Sequence, residues 1–157
     1  VDEVGRKYVK MINQIIDAKP ADMTITMHIC RGNFRSTWFS SGGYEPVADI
    51  LFKNCHVDGF FLEYDSDRSG DFRPLSFIQN QRVVLGLITS KFPELEDPEA
   101  VKARIQEATT YVPLDQLCLS TQCGFSSTEE GNKITDEDQW KKLALIKEIA
   151  EEVWKDC

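Results

Sequence analysis

His28 and Cys30 stand two residues apart in the stretch Thr24-Ile25-Thr26-Met27-His28-Ile29-Cys30, which reads as a β-strand running into a loop. Side chains alternate faces along a strand, so these two point the same way, roughly 6–7 Å apart. Imidazole and thiolate are ligands that zinc prefers, but two ligands do not complete a site. Glu63 ends a second strand-like run, and Cys123 follows a later one. His28, Cys30, Glu63 and Cys123 therefore all fall at or just after the C-terminal ends of predicted strands. That edge is where parallel α/β folds place their active sites. The four side chains could converge on one zinc ion. With both thiolates and the carboxylate ionised, three negative ligand charges would face a divalent cation. Such an electron-rich ion suits holding an incoming substrate thiolate more than sharpening a water for hydrolysis.

Each of these residues also has an ordinary reading when taken alone. His28 could be a hydrogen-bonded strand-end histidine, Cys30 a buried apolar thiol, and Glu63 a solvated acid. Cys123, in a loop before Gly124, is poorly placed for a core cysteine. The other cysteines read differently: Cys118 lies inside a predicted strand and belongs to the core, and Cys55 and Cys157 have no ligand partner at useful spacing. His56 is expected at the surface, and Glu94, Glu96, Asp97 and Glu99 form a solvated helix entrance. Asp65, Asp67 and Arg68 either orient ligands from behind or pair only with one another. Trp38, Phe39 and Tyr44 could flank a substrate pocket or pack beneath a loop.

These residues need a scaffold, and the pattern of the chain supplies one. Residues 3 to 17 carry Val4, Tyr8, Met11, Ile12, Ile15 and Ile16 at three- and four-residue steps, the mark of a helix that Lys19-Pro20 stops. After the first strand and a Ser/Gly-rich loop, a helix is expected near residues 44–53, with Val47, Ile50 and Leu51 on one side. The run Val57 to Glu63 reads as a buried parallel strand, and 75–79 as a short helix. Arg82 to Ile88 is the third strand. Asp97-Pro98-Glu99 combines an N-cap, a proline at the first helical position and an acid in the first turn. A fourth strand covers 116–120. Thr135-Asp136-Glu137-Asp138 opens the last helix as a capping-box pattern, and its buried stripe is expected to be Leu143, Ile146, Ile149, Ala150, Val153 and Trp154. A helix followed by four strand–helix units implies a parallel sheet with helices outside it. Four units make an open α/β sheet or half of an eight-stranded barrel, because a complete barrel typically needs about 250 residues.

Composition narrows the function. With 157 residues, 41% of them hydrophobic, the chain can build the core of one ordinary domain. Its formal charge of −8 leaves no basic surface for a general nucleic-acid binder. No apolar run approaches the ~20 residues of a membrane span, and the first residues lack a signal-peptide pattern. Five cysteines without framework spacing argue for reduced thiols in a cytoplasmic protein rather than a secreted disulfide scaffold.

Three segments in this order and spacing resemble a known family. They are His28-x-Cys30, Phe61-Leu62-Glu63-Tyr64-Asp65-Ser66-Asp67-Arg68-Ser69 and Ser120-Thr121-Gln122-Cys123-Gly124-Phe125. Together they look like the C-terminal catalytic barrel of cobalamin-independent methionine synthase, and more closely its short single-barrel relatives. The resemblance covers nearly the whole chain but only the second half of the barrel, so it implies a (β/α)8 TIM-barrel-like fold of which four units are present. It also implies that His28, Cys30, Glu63 and Cys123 bind zinc, and that a methyl group passes to the thiolate of homocysteine. The donor would be a methylated folate or, for the short relatives, a corrinoid.

Two departures qualify that implication. Family members usually read Asp-Ile-His-Ser after the third strand of this segment, with the His an acid/base candidate. This chain has Leu87-Ile88-Thr89-Ser90, and threonine cannot donate a proton as imidazole does. The family's amino-acid-binding residues in the first half of the barrel also have no counterpart here. Four parallel strands leave two open sheet edges that a stable protein must cover, so the expected partner is the missing barrel half or a second copy of the chain. Other readings keep the zinc. One is alkyl transfer to another small thiol or to an epoxide; the other is a non-catalytic module with zinc as a closed structural staple.

Overall fold

The computed structural model describes residues 2–155, so the expectation for Cys157 lies outside the described residues. The elements alternate as the pattern implies: α1 (Asp2–Ile16), β1 (Thr26–Ile29), α2 (Glu45–Asn54), β2 (Gly59–Glu63), β3 (Arg82–Ile88), α3 (Pro98–Ala108), β4 (Leu117–Thr121) and α4 (Asp136–Trp154). The short helix expected at 75–79 is a 3-10 turn at Arg73–Phe77. Asp97 caps α3 by accepting the Ala100 N–H at 3.2 Å. At the start of α4 the capping box is complete, with Thr135 and Asp138 each bonded to the other's backbone N–H. The local signals in the sequence therefore set where the later helices begin.

All four strands are parallel and lie in chain order, β1-β2-β3-β4. Each crossover thus steps one strand in the same direction. Phe60, Leu62, Val83, Leu85 and Leu117 are buried in a core shared with Ala48 and Phe52 of α2, Val101 and Ile105 of α3, and Ile149 of α4. By strand alternation the opposite face carries His28 and Phe61, which are register partners, and Phe61 remains 36% exposed. Cys118 also follows this alternation: it is half-buried, not a core residue as expected. No described helix is long and apolar enough to cross a membrane.

Helix α1 buries a different face from the one its apolar spacing suggests, whereas α4 keeps its expected stripe, with Ile149 buried and Ile146, Val153 and Trp154 packed against the core, and departs from it at Leu143. On α1, Val4, Tyr8, Met11 and Ile15 are exposed, while Val9 and Ile16 are buried. The helix packs on α2, with Gly5 against Ile50. The remaining stripe lines an apolar groove of about 590 Å³ together with Met27, Ile29 and Val47, beside the unpaired edge of β1. On α4, Leu143 is 37% exposed, and the inward positions are Lys142, Leu145 and Ile149. Lys142 is fully buried because its ammonium reaches the Glu94 carbonyl at 2.7 Å and the Glu96 carboxylate at 3.1 Å. Glu96 is accordingly not a solvated acid. It also accepts the Thr89 N–H at 2.8 Å, tying the segment after β3 to α4.

One glycine sets the spacing of the strand ends. A Cβ on Gly86 would lie 2.6 Å from Gln122 Cα and 2.8 Å from the Leu62 carbonyl oxygen. Both obstacles are backbone, at the register shift between β3 and β4. Gly86→Ala is expected to destabilise the chain by about 1–3 kcal/mol, read as a lower urea midpoint. It should also push Gln122 and Cys123 outward.

Candidate metal centre

The structure brings the four sequence-singled residues together. His28 lies on β1 and Cys30 one residue beyond it, Glu63 is the last residue of β2, and Cys123 follows β4. One potential ligand atom from each lies within 4.8 Å of every other. The Cys30 and Cys123 sulfurs are 3.8 Å apart, and His28 Nε2 is 3.9 Å from Glu63 Oε1. His28 Nδ1 is 3.2 Å from the Phe61 carbonyl, so with its proton there the ring donates to backbone and turns Nε2 toward the cluster. The Cys30 sulfur accepts the Gly32 N–H at 3.2 Å. Gly32 has φ +100°, and a side chain there would run into Phe39 N at 2.6 Å. Only glycine makes that turn without strain.

Glu63 is completely buried. Its Oε2 accepts the Arg31 N–H at 3.1 Å and faces Arg68 Nη1 at 3.4 Å. Its Oε1 has no hydrogen-bond partner among the described residues. An orphaned carboxylate oxygen in the interior is costly, and this one faces an imidazole and two thiols. An N, O and two S donors are the chemistry of a zinc site, so the residues fit a divalent cation that would use that oxygen. Burial raises the Cys30 thiol to about 11. At Cys123 burial acts the same way, but hydrogen bonds with His28, Ser127 and Cys30 outweigh it and bring the thiol down to about 7. The contact with Cys123 in turn raises His28 against the effect of burial.

Behind these four stands a polar framework whose members lack any local sequence signal. Tyr44 is buried, and its hydroxyl accepts the Glu63 N–H at 2.8 Å and Arg31 Nη1 at 2.7 Å. The Arg31 guanidinium lies 4.0 Å over the Tyr44 ring and also bonds the Glu63 carbonyl. Asn33 joins the two cysteine-bearing loops: its amide donates to Gly124 O and Ser127 Oγ, both at 2.7 Å. Its Oδ1 accepts from Lys91 Nζ at 3.0 Å and from Asn132 at 3.2 Å. Lys91, 1% exposed, also donates to the Gly32 and Thr37 carbonyls at 3.1 Å, and burial lowers its pKa.

The remaining sequence candidates divide. Arg68 bonds Asp65 at 2.7 Å as well as facing Glu63, whereas Asp67 is exposed. Of the aromatic residues, Tyr44 packs beneath the loop, but Trp38 is half-exposed and Phe39 is 97% exposed. Arg35 and Ser36 before them are both in the left-handed region, and the Trp38 ring lies over the Arg68 guanidinium at 5.2 Å. His56 is at the surface, paired with Asp17 at 2.7 Å. Cys55 is buried away from the cluster.

No protein-family model matches the chain. It is 57% identical over 156 residues to the uncharacterised protein YxjG of Bacillus subtilis, and 59% identical over 150 residues to YxjH of the same organism. These matches take in 98% and 94% of this chain but 41% and 40% of the relatives, so the chain spans about two fifths of their length. Among solved structures it is similar to a candidate vitamin-B12-independent methionine synthase from Listeria monocytogenes. That match has 44% identity and a TM-score of 0.69, over 96% of this chain and 41% of that one. A B12-independent methionine synthase from Shewanella sp. W3-18-1, in complex with selenomethionine, shares the fold with a TM-score of 0.77 at 23% identity. That match covers 99% of this chain and 45% of the other.

Proposed function

We propose that this chain, which belongs to the cobalamin-independent methionine synthase family, carries the zinc-binding half of a barrel that methylates homocysteine to methionine. The observation that carries this reading is the ring of four donors within 4.8 Å around a buried carboxylate oxygen with no other partner. The half-barrel reading draws on the chain-order parallel sheet, the open edge of β1 and the apolar groove beside it. A further four strand–helix units, or a second copy, would cover that edge.

His28, Cys30, Glu63 and Cys123 would hold the ion. A zinc ion held there would keep a substrate thiol deprotonated at neutral pH, since a coordinating thiol loses its proton. The chain's own residues do the positioning: the Phe61 carbonyl orients the imidazole, and Arg31 and Arg68 fix the carboxylate. Asn33 keeps the two cysteine loops in register. The homocysteine sulfur attacks the methyl carbon in line. A sulfur–carbon bond forms, and the electron pair of the donor–methyl bond leaves with the donor. Alignment of the two substrates supplies much of the acceleration.

Thr89 bears on the donor. Its N–H is committed to Glu96, and its hydroxyl is no acid at neutral pH. A folate nitrogen leaving group would need its proton from elsewhere, whereas a corrinoid leaving as the reduced metal needs none. The test is to incubate the zinc-loaded chain, with full-length YxjG in parallel, with homocysteine and either methyltetrahydrofolate or methylcobalamin. Methionine formed with one donor, read by mass spectrometry, supports the reaction and assigns the donor. No methionine from either protein overturns it. With cobalt in place of zinc, homocysteine should perturb the visible spectrum, which a closed structural site would not allow.

A further inference from the structure

The two oxygens of Glu63 have opposite fates, and the difference traces to residues outside the ligand set. Oε2 is engaged by the Arg31 N–H at 3.1 Å and by Arg68 Nη1 at 3.4 Å, while Oε1 is unpartnered and faces His28. The Arg68 guanidinium is itself held in place. Its Nη2 donates to Asp65 Oδ1 at 2.7 Å, and its face lies 5.2 Å from the centre of the Trp38 ring. The side chains of Arg68 and Asp65 are only 8% and 4% exposed, and Glu63 is not exposed at all. Arg68 is therefore a buried cation shared by two buried carboxylates. Buried charges persist only when paired and hydrogen-bonded. A planar guanidinium can serve two acceptors at fixed angles, as an ammonium cannot.

We propose that Arg68 is a positioning residue of the metal centre: braced by Asp65, it holds Glu63 by Oε2, so that Oε1 alone is presented to the ion. This rests on the zinc-binding reading above. The arrangement has two consequences. The carboxylate cannot swing to offer both oxygens without giving up Arg68 and the Arg31 N–H. The positive charge behind it offsets part of the negative charge that three anionic donors bring together. Arg31 contributes mainly through its backbone, because its guanidinium is occupied by Gly42 O, Tyr44 and the Glu63 carbonyl, with Nη1 3.9 Å from Oε2. Arg68 is thus the side chain that sets the carboxylate's rotation.

The experiment compares zinc affinity, by competition with a chromogenic chelator, in the wild-type chain and in Arg68→Met, Arg68→Lys and Asp65→Asn. Loss of a partner behind a metal ligand typically costs 10–100-fold in affinity, and that is the expected loss for Arg68→Met. Arg68→Lys should fall between it and wild type, since lysine restores the charge without the fork. Asp65→Asn should weaken binding in the same direction but less. Cobalt-loaded Arg68→Met should also show an altered visible spectrum, which a loss of general stability would not produce. Wild-type affinity and spectrum in folded Arg68→Met would overturn the proposal while leaving the zinc reading intact. A wild-type chain that binds no zinc would overturn both. Should Arg68→Met fail to fold, Asp65→Asn decides, and unchanged affinity and spectrum there overturn the proposal.

Discussion

Cys123→Ser is expected to cost the chain its metal. Purified without added zinc, the wild type should carry about one ion per chain if its four donors bind as one site, and the variant should carry almost none. The size of the loss follows from the ligand count. Zinc-binding peptides gain about 10–16 kcal/mol from a four-ligand site, so one ligand accounts for roughly 3–4 kcal/mol, or about two to three orders of magnitude in affinity. A serine hydroxyl stays protonated where a thiol ionises, and at Cys123 the thiol is already drawn down to about 7 before any ion binds. The proposed methyl transfer should disappear with the metal. Cys30→Ser, on the sulfur 3.8 Å away, should behave alike. Cys118→Ser is the control: Cys118 is half-buried and outside the four-residue cluster, so zinc should be retained. Elemental analysis of the four proteins reads the result directly. Full zinc in Cys123→Ser would rule out the cluster as the binding site.

That experiment could be designed from the sequence, because local rules govern the residues it uses. Strand alternation put His28 and Cys30 on one face, and the parallel α/β rule put Glu63 and Cys123 at the same edge. The caps at Asp97 and Thr135 were legible for the same reason: each is a contact between residues three apart. The framework behind the site was not legible. Lys91 reaches residues 54 to 59 positions away, and Asn33 bonds partners more than 90 positions on. Nothing in the neighbourhood of a lysine or asparagine in a loop announces such a partner. Arg68 is intermediate: the sequence allows it either to orient a ligand or to pair with Asp65 and Asp67, but only the fold shows that it serves both Glu63 and Asp65.

The apolar stripe of α1 marks the helix correctly, yet most of it does not face the core. Periodicity reports which side of a helix avoids water, and it assumes that the covering surface is in hand. Tyr8, Met11 and Ile15 form that side, yet they open onto the groove beside the unpaired edge of β1. On α4 the departure runs the other way. A lysine in a helix rich in Glu and Lys reads as part of the solvated face, and a leucine beside it reads as core. Here Leu143 is exposed and Lys142 is buried. Hydrophobicity alone cannot foresee a charged side chain that is buried by pairing.

Lys142 also carries the largest expected effect on stability. Its ammonium is inaccessible to solvent, bonded to the Glu94 carbonyl at 2.7 Å and to both Glu96 oxygens at 3.1–3.2 Å. Lys142→Ala removes the cation and leaves Glu96, 21% exposed, against a cavity without its partner. Breaking a buried ion pair from one side costs about 3–5 kcal/mol. At ~2–4 °C per kcal/mol for a chain of this size, the melting temperature should fall by on the order of 10 °C. A surface lysine in the same helix, such as Lys147, should shift it by no more than the ~0.5 kcal/mol typical of exposed sites. The double variant Lys142→Met/Glu96→Gln separates charge from packing. Methionine refills the volume, and the glutamine carbonyl can still accept the Thr89 N–H that Glu96 holds. Replacing both members of a buried pair is often close to neutral, so the double variant should regain most of the stability that Lys142→Ala loses. If Lys142→Ala and the Lys147 control melt together, the buried pair contributes nothing to the fold. If the double variant is as unstable as Lys142→Ala, the charge pair itself, and not the space it fills, holds α4 against the segment that follows β3.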